Sequence, residues 1–242
     1  MTEFVSSQNA KPTVVCVFCG ACAGYNVVHM EAARALALEF HKNNIHLVYG
    51  GGTVGLMGEL AKTLVSLSGP ETVHGVIPKA LVRVEEGYQG KETQTAASAP
   101  KGEKKVERIV ENGSQSASFE FGMITIVPDM HTRKRLMATK VLEGGPGSGF
   151  IALPGGFGTL EEVMEMTTWN QLGIHRVGIV LLNINGYWDA ITAWIQKAVK
   201  EGFLSDSNAG IMVDTSKVDE ALGKLREYQV SRERLELSWN EE

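Results

Sequence analysis

The feature that most constrains this chain is a regular alternation of short apolar runs with longer amphipathic segments, beginning just after Pro12. Strands are expected at 14–19, 45–49, 72–77, 122–127, 149–153, 177–182 and 209–214. Helices are expected at about 26–42, 55–67, 130–143, 159–171, 187–201 and 215–229. The strands are apolar at nearly every position, as in Val14-Val15-Cys16-Val17-Phe18-Cys19, which suits a parallel sheet covered on both faces by helices. The expected fold class is α/β: a Rossmann-like, doubly wound parallel sheet in a single domain over 13–230, with 1–12 and 231–242 as tails. Ligands of such sheets bind beyond the carboxyl ends of the strands, so the turns leaving strands are the ones to inspect.

One segment breaks the rhythm. Residues 86–121 are rich in Gln, Ser, Lys and Glu, and read as an inserted loop, partly helical near 103–111, either solvated or a lid over a site. A smaller insertion, Glu143 to Gly149, reads as a flexible turn. The net charge of −5 gives no basic field for nucleic acid or anionic lipid. No apolar run approaches the ~18–20 residues of a membrane span, and the N-terminus lacks the features of a signal peptide. A cytoplasmic protein with neither nucleic-acid nor membrane partners is expected.

The three cysteines, Cys16, Cys19 and Cys22, have the spacing that opens a ferredoxin-type cluster run, but there is no fourth. In a strand, positions three apart face opposite ways, so Cys16 and Cys19 are expected to pack in the core rather than share a metal.

Glycine makes up 27 of 242 residues and gathers at 20–24, 50–58 and 144–158. Gly50, Gly52 and Gly55 formally satisfy the dinucleotide pattern G-x-G-x-x-G, yet Glu71, at the distance of a ribose-binding acid, precedes the next strand instead of ending it. A nicotinamide site is therefore disfavoured. The turn Pro154-Gly155-Gly156-Phe157-Gly158-Thr159 is more informative. It leaves a strand and enters a helix, so the amides of Gly155, Gly156, Gly158 and Thr159 can converge on a phosphate. Glu161 and Glu162 follow, read as the helix's first turn, where the dipole favours ionised carboxylates. Two acids beside a phosphate repel it, which argues that at least one serves a reacting centre. Farther upstream, Asp129 reads as a helix N-cap. Arg133, Lys134 and Arg135 place three cations in the opening turns of that helix, an unfavourable arrangement unless an anion lies nearby. If the strands preceding these two helices are neighbours, Arg133 or Lys134 reaches the same ligand.

Together PGGFGTLEE at 154–162, MHTRK at 130–134 and GGGTVGLMG at 50–58 resemble the LONELY GUY family of cytokinin riboside 5′-monophosphate phosphoribohydrolases. The resemblance runs from about Val14 to about Phe203, and TTWNQLGIH at 167–175 and NINGYWDA at 183–190 continue it. Relatives carry an older label, "possible lysine decarboxylase", for which these residues offer no clear support. The resemblance implies a homodimer with composite sites and hydrolysis of the N-glycosidic bond of N6-modified AMP, giving free base and ribose 5-phosphate without cofactor or metal. It maps Arg133 and Glu162 to catalysis. It maps Glu85, Lys134, Gly155, Gly156, Phe157, Gly158, Thr159, Leu160, Glu161 and Thr168 to binding of the nucleoside monophosphate. Where the family often has C-G-S-S, this chain has Cys19-Gly20-Ala21-Cys22. A nucleotide-binding carrier or sensor without hydrolase activity is the alternative on the same residues.

Overall fold

Backbone pairing follows the apolar runs to within a residue or two over most of the chain. The computed structural model describes residues 11–86, 116–118 and 120–237. Its strands are β1 (Val14–Phe18), β2 (His46–Tyr49), β3 (Val73–Pro78), β4 (Ser116–Ser118), β5 (Gly122–Val127), β6 (Gly149–Ala152), β7 (Gly178–Leu182) and β8 (Met212–Thr215). They form one sheet in the order β4-β5-β3-β2-β1-β6-β7-β8. All pairings are parallel except that of β4 with β5. The helices are α1 (Val28–Lys42), α2 (Gly55–Ser68), α3 (Lys79–Glu86), α4 (Met130–Leu142), α5 (Phe157–Gln171), α6 (Asp189–Lys200), α7 (Asp206–Ala209) and α8 (Val218–Arg226).

The period-2 alternation of β1 shows why the sheet is covered twice. Val15 and Val17 pack with Leu36 and Phe40 of α1, Leu60 and Leu64 of α2 and Leu222 of α8. Cys16 and Phe18 pack on the other face with Met137 and Val141 of α4 and Val163 and Met166 of α5. Each such buried side chain contributes roughly 1.5–3 kcal/mol of burial. Cys16 and Cys19 thus lie in opposite core layers, Cys22 is exposed, and all three thiols are free. Burial pushes the Cys16 and Cys19 thiols well above the ordinary range, so both are inert as nucleophiles. Among the described residues no group of three His, Cys, Asp or Glu is placed to hold a metal ion. Nor is any helix among them long and apolar enough to cross a membrane.

Three elements were not expected. Helix α3 precedes the long polar segment, whose far end supplies β4 as an antiparallel edge strand on β5. The expected helix near 103–111 and the reading of that segment as a lid lie outside the described residues. Helix α7 displaces the start of β8 from 209 to Met212, because the Ser205 hydroxyl caps it by accepting from the Asn208 amide. Beyond α8 the chain lies against α7 and the end of α5 as far as Leu237. Ser231 is buried and hydrogen-bonded to Ser207 and Asn208, and the Leu235 amide donates to the Gln171 carbonyl.

β1 is the switch point of the sheet. The chain winds from it through β2, β3 and β5 on one side, then returns through α4 to β6 on the other. A crevice opens where the turns after β1 and β6 diverge.

Candidate active site

That crevice is a cavity of about 740 Å³. Its walls are the turn after β1, Gly50 at the end of β2, the start of α4, and the turn between β6 and α5. Backbone hydrogen bonds tie these turns together: the Gly20 amide donates to the Pro154 carbonyl (3.0 Å) and the Leu56 amide to the Gly20 carbonyl (3.2 Å). A Cβ on Gly155 would overlap the Thr159 side chain and crowd the Gly20 nitrogen, so only glycine permits this packing. At Gly156 and Gly158 a Cβ would meet nothing within 4 Å. The space over the turn is open there.

Helix α5 starts with Gly156 as an extended N-cap that has no side-chain cap. The amides of Gly156, Phe157, Gly158 and Thr159 are the four that a helix leaves without internal acceptors. Gly155, Gly156, Gly158 and Thr159 line the cavity, giving it the positive end of the helix and an anion nest. The helix begins at Phe157, earlier than expected, which puts Glu161 and Glu162 in the second turn and not the first. Macrodipole compensation therefore does not account for Glu162.

Its environment does. Glu162 is 7% and Arg133 9% exposed, and Arg133 Nη2 lies 3.4 Å from Glu162 Oε1. Burial, opposed by Arg133 and reinforced by Glu161, pushes the Glu162 carboxyl up from an ordinary 4.5 to about 7. Arg133 Nε and Glu162 Oε1 make no hydrogen bond, so both retain capacity for a ligand. Gly50 makes room for the pair, because any Cβ there would overlap Arg133 Nη2. The first glycine of the dinucleotide-like pattern thus accommodates a guanidinium.

Arg133 reaches the cavity without the adjacency of β5 and β6 on which that reach was made conditional. β3, β2 and β1 lie between them. Helix α4 is itself the link from β5 to β6, so it crosses the face of the sheet and carries Arg133 to α5. Asp129 caps it as expected, accepting from the Thr132 amide (2.8 Å). Lys134, one residue on, does not line the cavity; its ammonium pairs with Glu161 and with Glu165 (3.0 Å). Burial lowers the Lys134 pKa, and the two carboxylates outweigh it and raise the net value, so Lys134 is a charged brace between α4 and α5.

The structure therefore brings Arg133, Gly155, Gly156, Gly158, Thr159, Glu161 and Glu162 together on one cavity. Phe157 is exposed, Leu160 packs against the core beneath α5, and Thr168 is exposed on α5; none of the three lines the cavity. Glu85 lies in α3, but its side chain is outside the described residues. Sequence reasoning noted Gly50 within its glycine pattern but missed Met130, His29 and Tyr187 as lining residues. Tyr187 is turned into the cavity by the short 3-10 segment Ile184–Gly186, in which Asn185 has φ 54°. The Asn-Gly pair before it is the signal that was available.

A family model described as "Possible lysine decarboxylase" matches residues 57–225. A probable cytokinin riboside 5′-monophosphate phosphoribohydrolase of Oryza sativa subsp. japonica is 40% identical over 90% of this chain and 81% of its own length. The chain belongs to the LONELY GUY family. A second LONELY GUY relative, a cytokinin riboside 5′-monophosphate phosphoribohydrolase of Arabidopsis thaliana, is 38% identical over 94% of this chain and 90% of its own. A bifunctional cytokinin biosynthesis protein of Fusarium pseudograminearum (strain CS3096) is 43% identical over 98% of this chain, which spans only 45% of that longer protein. Among solved structures, the molybdenum cofactor carrier protein of Chlamydomonas reinhardtii superposes with a TM-score of 0.56 at 15% identity, covering 89% of this chain and 97% of the carrier. At that identity the likeness concerns the fold alone.

Proposed function

We propose that the cavity hydrolyses the N-glycosidic bond of N6-modified adenosine 5′-monophosphates of the cytokinin riboside type, and of AMP, releasing free base and ribose 5-phosphate. The observation that carries this reading is the buried Arg133–Glu162 pair on the wall of a cavity whose floor is an anion nest. A carrier or sensor needs the nest but has no use for a carboxyl buried beside it.

In the proposed mechanism the 5′-phosphate sits against the amides of Gly155, Gly156, Gly158 and Thr159, and its binding energy orients the ribose. As the C1′–N9 bond breaks, positive charge grows on the sugar. Ionised Glu162 stabilises that charge and accepts a proton from the water whose oxygen bonds to C1′; the same proton is then delivered to a nitrogen of the departing base, which returns Glu162 to its ionised form. Arg133 orients the Glu162 carboxylate and stabilises charge developing on the leaving group. Lys134 holds α4 and α5 in register through Glu161 and Glu165.

We place the enzyme in the cytoplasm as a homodimer. The three free thiols support that compartment. Exposed Phe157 on α5, Trp194 on α6 and Phe203 after it support association. In the dimer, exposed Phe157 and Thr168, which do not line the cavity of their own chain, are assigned to substrate contacts across the interface, and Leu160, half-buried against the core, supports the phosphate turn from beneath.

A panel of purine and pyrimidine nucleoside monophosphates, with chromatographic detection of released base, tests the activity. Release of adenine-type bases from monophosphates, and much less from the nucleosides, is expected. Binding without release across the panel would overturn the reading in favour of a carrier.

A further inference from the structure

The cavity has one wall that this mechanism leaves unused, made of Tyr187 and His29. The Tyr187 hydroxyl donates to the carbonyl of Gly155, the first glycine of the phosphate turn. The Tyr187 ring is held edge-on between two others: Trp188, with centroids 4.9 Å apart, and His29, 6.0 Å away. Trp188 is anchored in turn, since its amide donates to Asn183 Oδ1 (2.7 Å) and its indole nitrogen to the Ala152 carbonyl (3.3 Å). His29 belongs to the first turn of α1, and its Nδ1 is buried without a partner.

These contacts act on the peptide between Gly155 and Gly156, whose neighbours are already tied down: the Pro154 carbonyl accepts from the Gly20 amide and the Gly156 carbonyl from the Leu160 amide. The Gly155–Gly156 peptide is trans, so its carbonyl and its N–H lie in one plane and point in opposite directions. Fixing the Gly155 oxygen fixes the direction of the Gly156 N–H, one of the four unsatisfied donors at the start of α5. With glycine on both sides, no Cβ resists rotation of this plane, and at Gly156 the surrounding space is open.

We infer that Tyr187 is a positioning residue for the phosphate nest, locking the Gly155–Gly156 peptide with its amide set to receive the 5′-phosphate, and that His29 backs the Tyr187 ring. Its effect falls on recognition of the phosphate. It therefore sets the preference for monophosphate over nucleoside instead of the chemistry at C1′. This rests on the activity proposed above.

The test compares wild type with Tyr187→Phe, His29→Ala and His29→Tyr, using AMP, an N6-substituted AMP and the corresponding nucleosides. Tyr187→Phe keeps the ring and loses the hydroxyl. It is expected to raise KM for monophosphates about fivefold, the effect of one neutral hydrogen bond, with a smaller change in kcat. The monophosphate-to-nucleoside preference falls by the same factor, and the ribose 5-phosphate concentration needed for a given protection of the folded protein against heat rises by it. His29→Ala moves both quantities in the same direction by a smaller factor, and His29→Tyr, which restores an aromatic edge, returns them toward wild type. An unchanged KM in Tyr187→Phe overturns the inference, as does an equal loss on monophosphates and nucleosides. Ribose 5-phosphate protection remains readable if a variant turns over too slowly. Failure of the wild type to release base from any monophosphate is a separate outcome that removes the proposed activity itself.

Discussion

Glu162 is held where it is least comfortable. A carboxyl whose folded pKa is about 7 against an ordinary 4.5 keeps its proton in the folded state after the unfolded chain has lost it. Stability from this group is therefore fully present below about pH 4.5, declines as pH rises toward 7, and is lower above that by about 3 kcal/mol. Replacing it with glutamine removes the titration. The stability of Glu162→Gln relative to wild type is thus expected to increase between pH 4.5 and 7 and then level off, as read by urea unfolding at several pH values. Its turnover should fall by roughly 10²–10⁴ while monophosphate binding persists; a wild-type rate would remove Glu162 from the mechanism. In the wild type, kcat/KM should rise with pH through about 7 as Glu162 ionises, and this limb should be missing from the residual rate of Glu162→Gln. Gly50 offers a test of the partner. A Cβ in Gly50→Ala would overlap Arg133 Nη2 and so displaces the guanidinium from its place beside Glu162, and a misplacement of about 1 Å is expected to lower kcat/KM about 100-fold.

At the scale of elements, the glycine turns act as spacers that let three chain segments meet. Gly55, with φ of 61°, opens α2 directly against the backbone of Ala21 and Cys22. Gly55→Ala adds both left-handed strain and a backbone clash, so a loss of about 1–3 kcal/mol is expected in chemical denaturation. Much of this level was legible in the sequence, because buried parallel strands and amphipathic helices carry strong periodic signals. β4 and α7 did not, since a three-residue Ser-Ala-Ser strand and a four-residue helix have no period to detect. The Arg133–Glu162 pair was recognisable from its motifs, but the route that joins it was not. Alternation implies parallel strands without saying which ones adjoin, and the crossing of α4 over β3, β2 and β1 is settled by packing across the sheet. Tyr187 escaped because the Asn-Gly pair before it signals a turn but not the backbone carbonyl 32 residues away to which its hydroxyl donates.

For the whole molecule, the proposed dimer predicts a mass of twice the chain in light scattering. It also predicts that Thr168→Ala mixed with Glu162→Gln recovers some activity through hybrid dimers that assemble one intact site. A monomer, or mixtures no more active than either variant, would place the missing contacts within one chain. The position of β1 has a different kind of consequence. Its partner on one side, β2, follows directly after α1, but its partner on the other, β6, begins only at Gly149. While the chain is being synthesised, the central strand therefore spends more than half of the polypeptide's length with one edge open, a template for strand addition by other chains. Truncations ending before β6 are expected to aggregate, and those retaining β6 to stay in solution far better, as a sedimentation series of nested fragments would show.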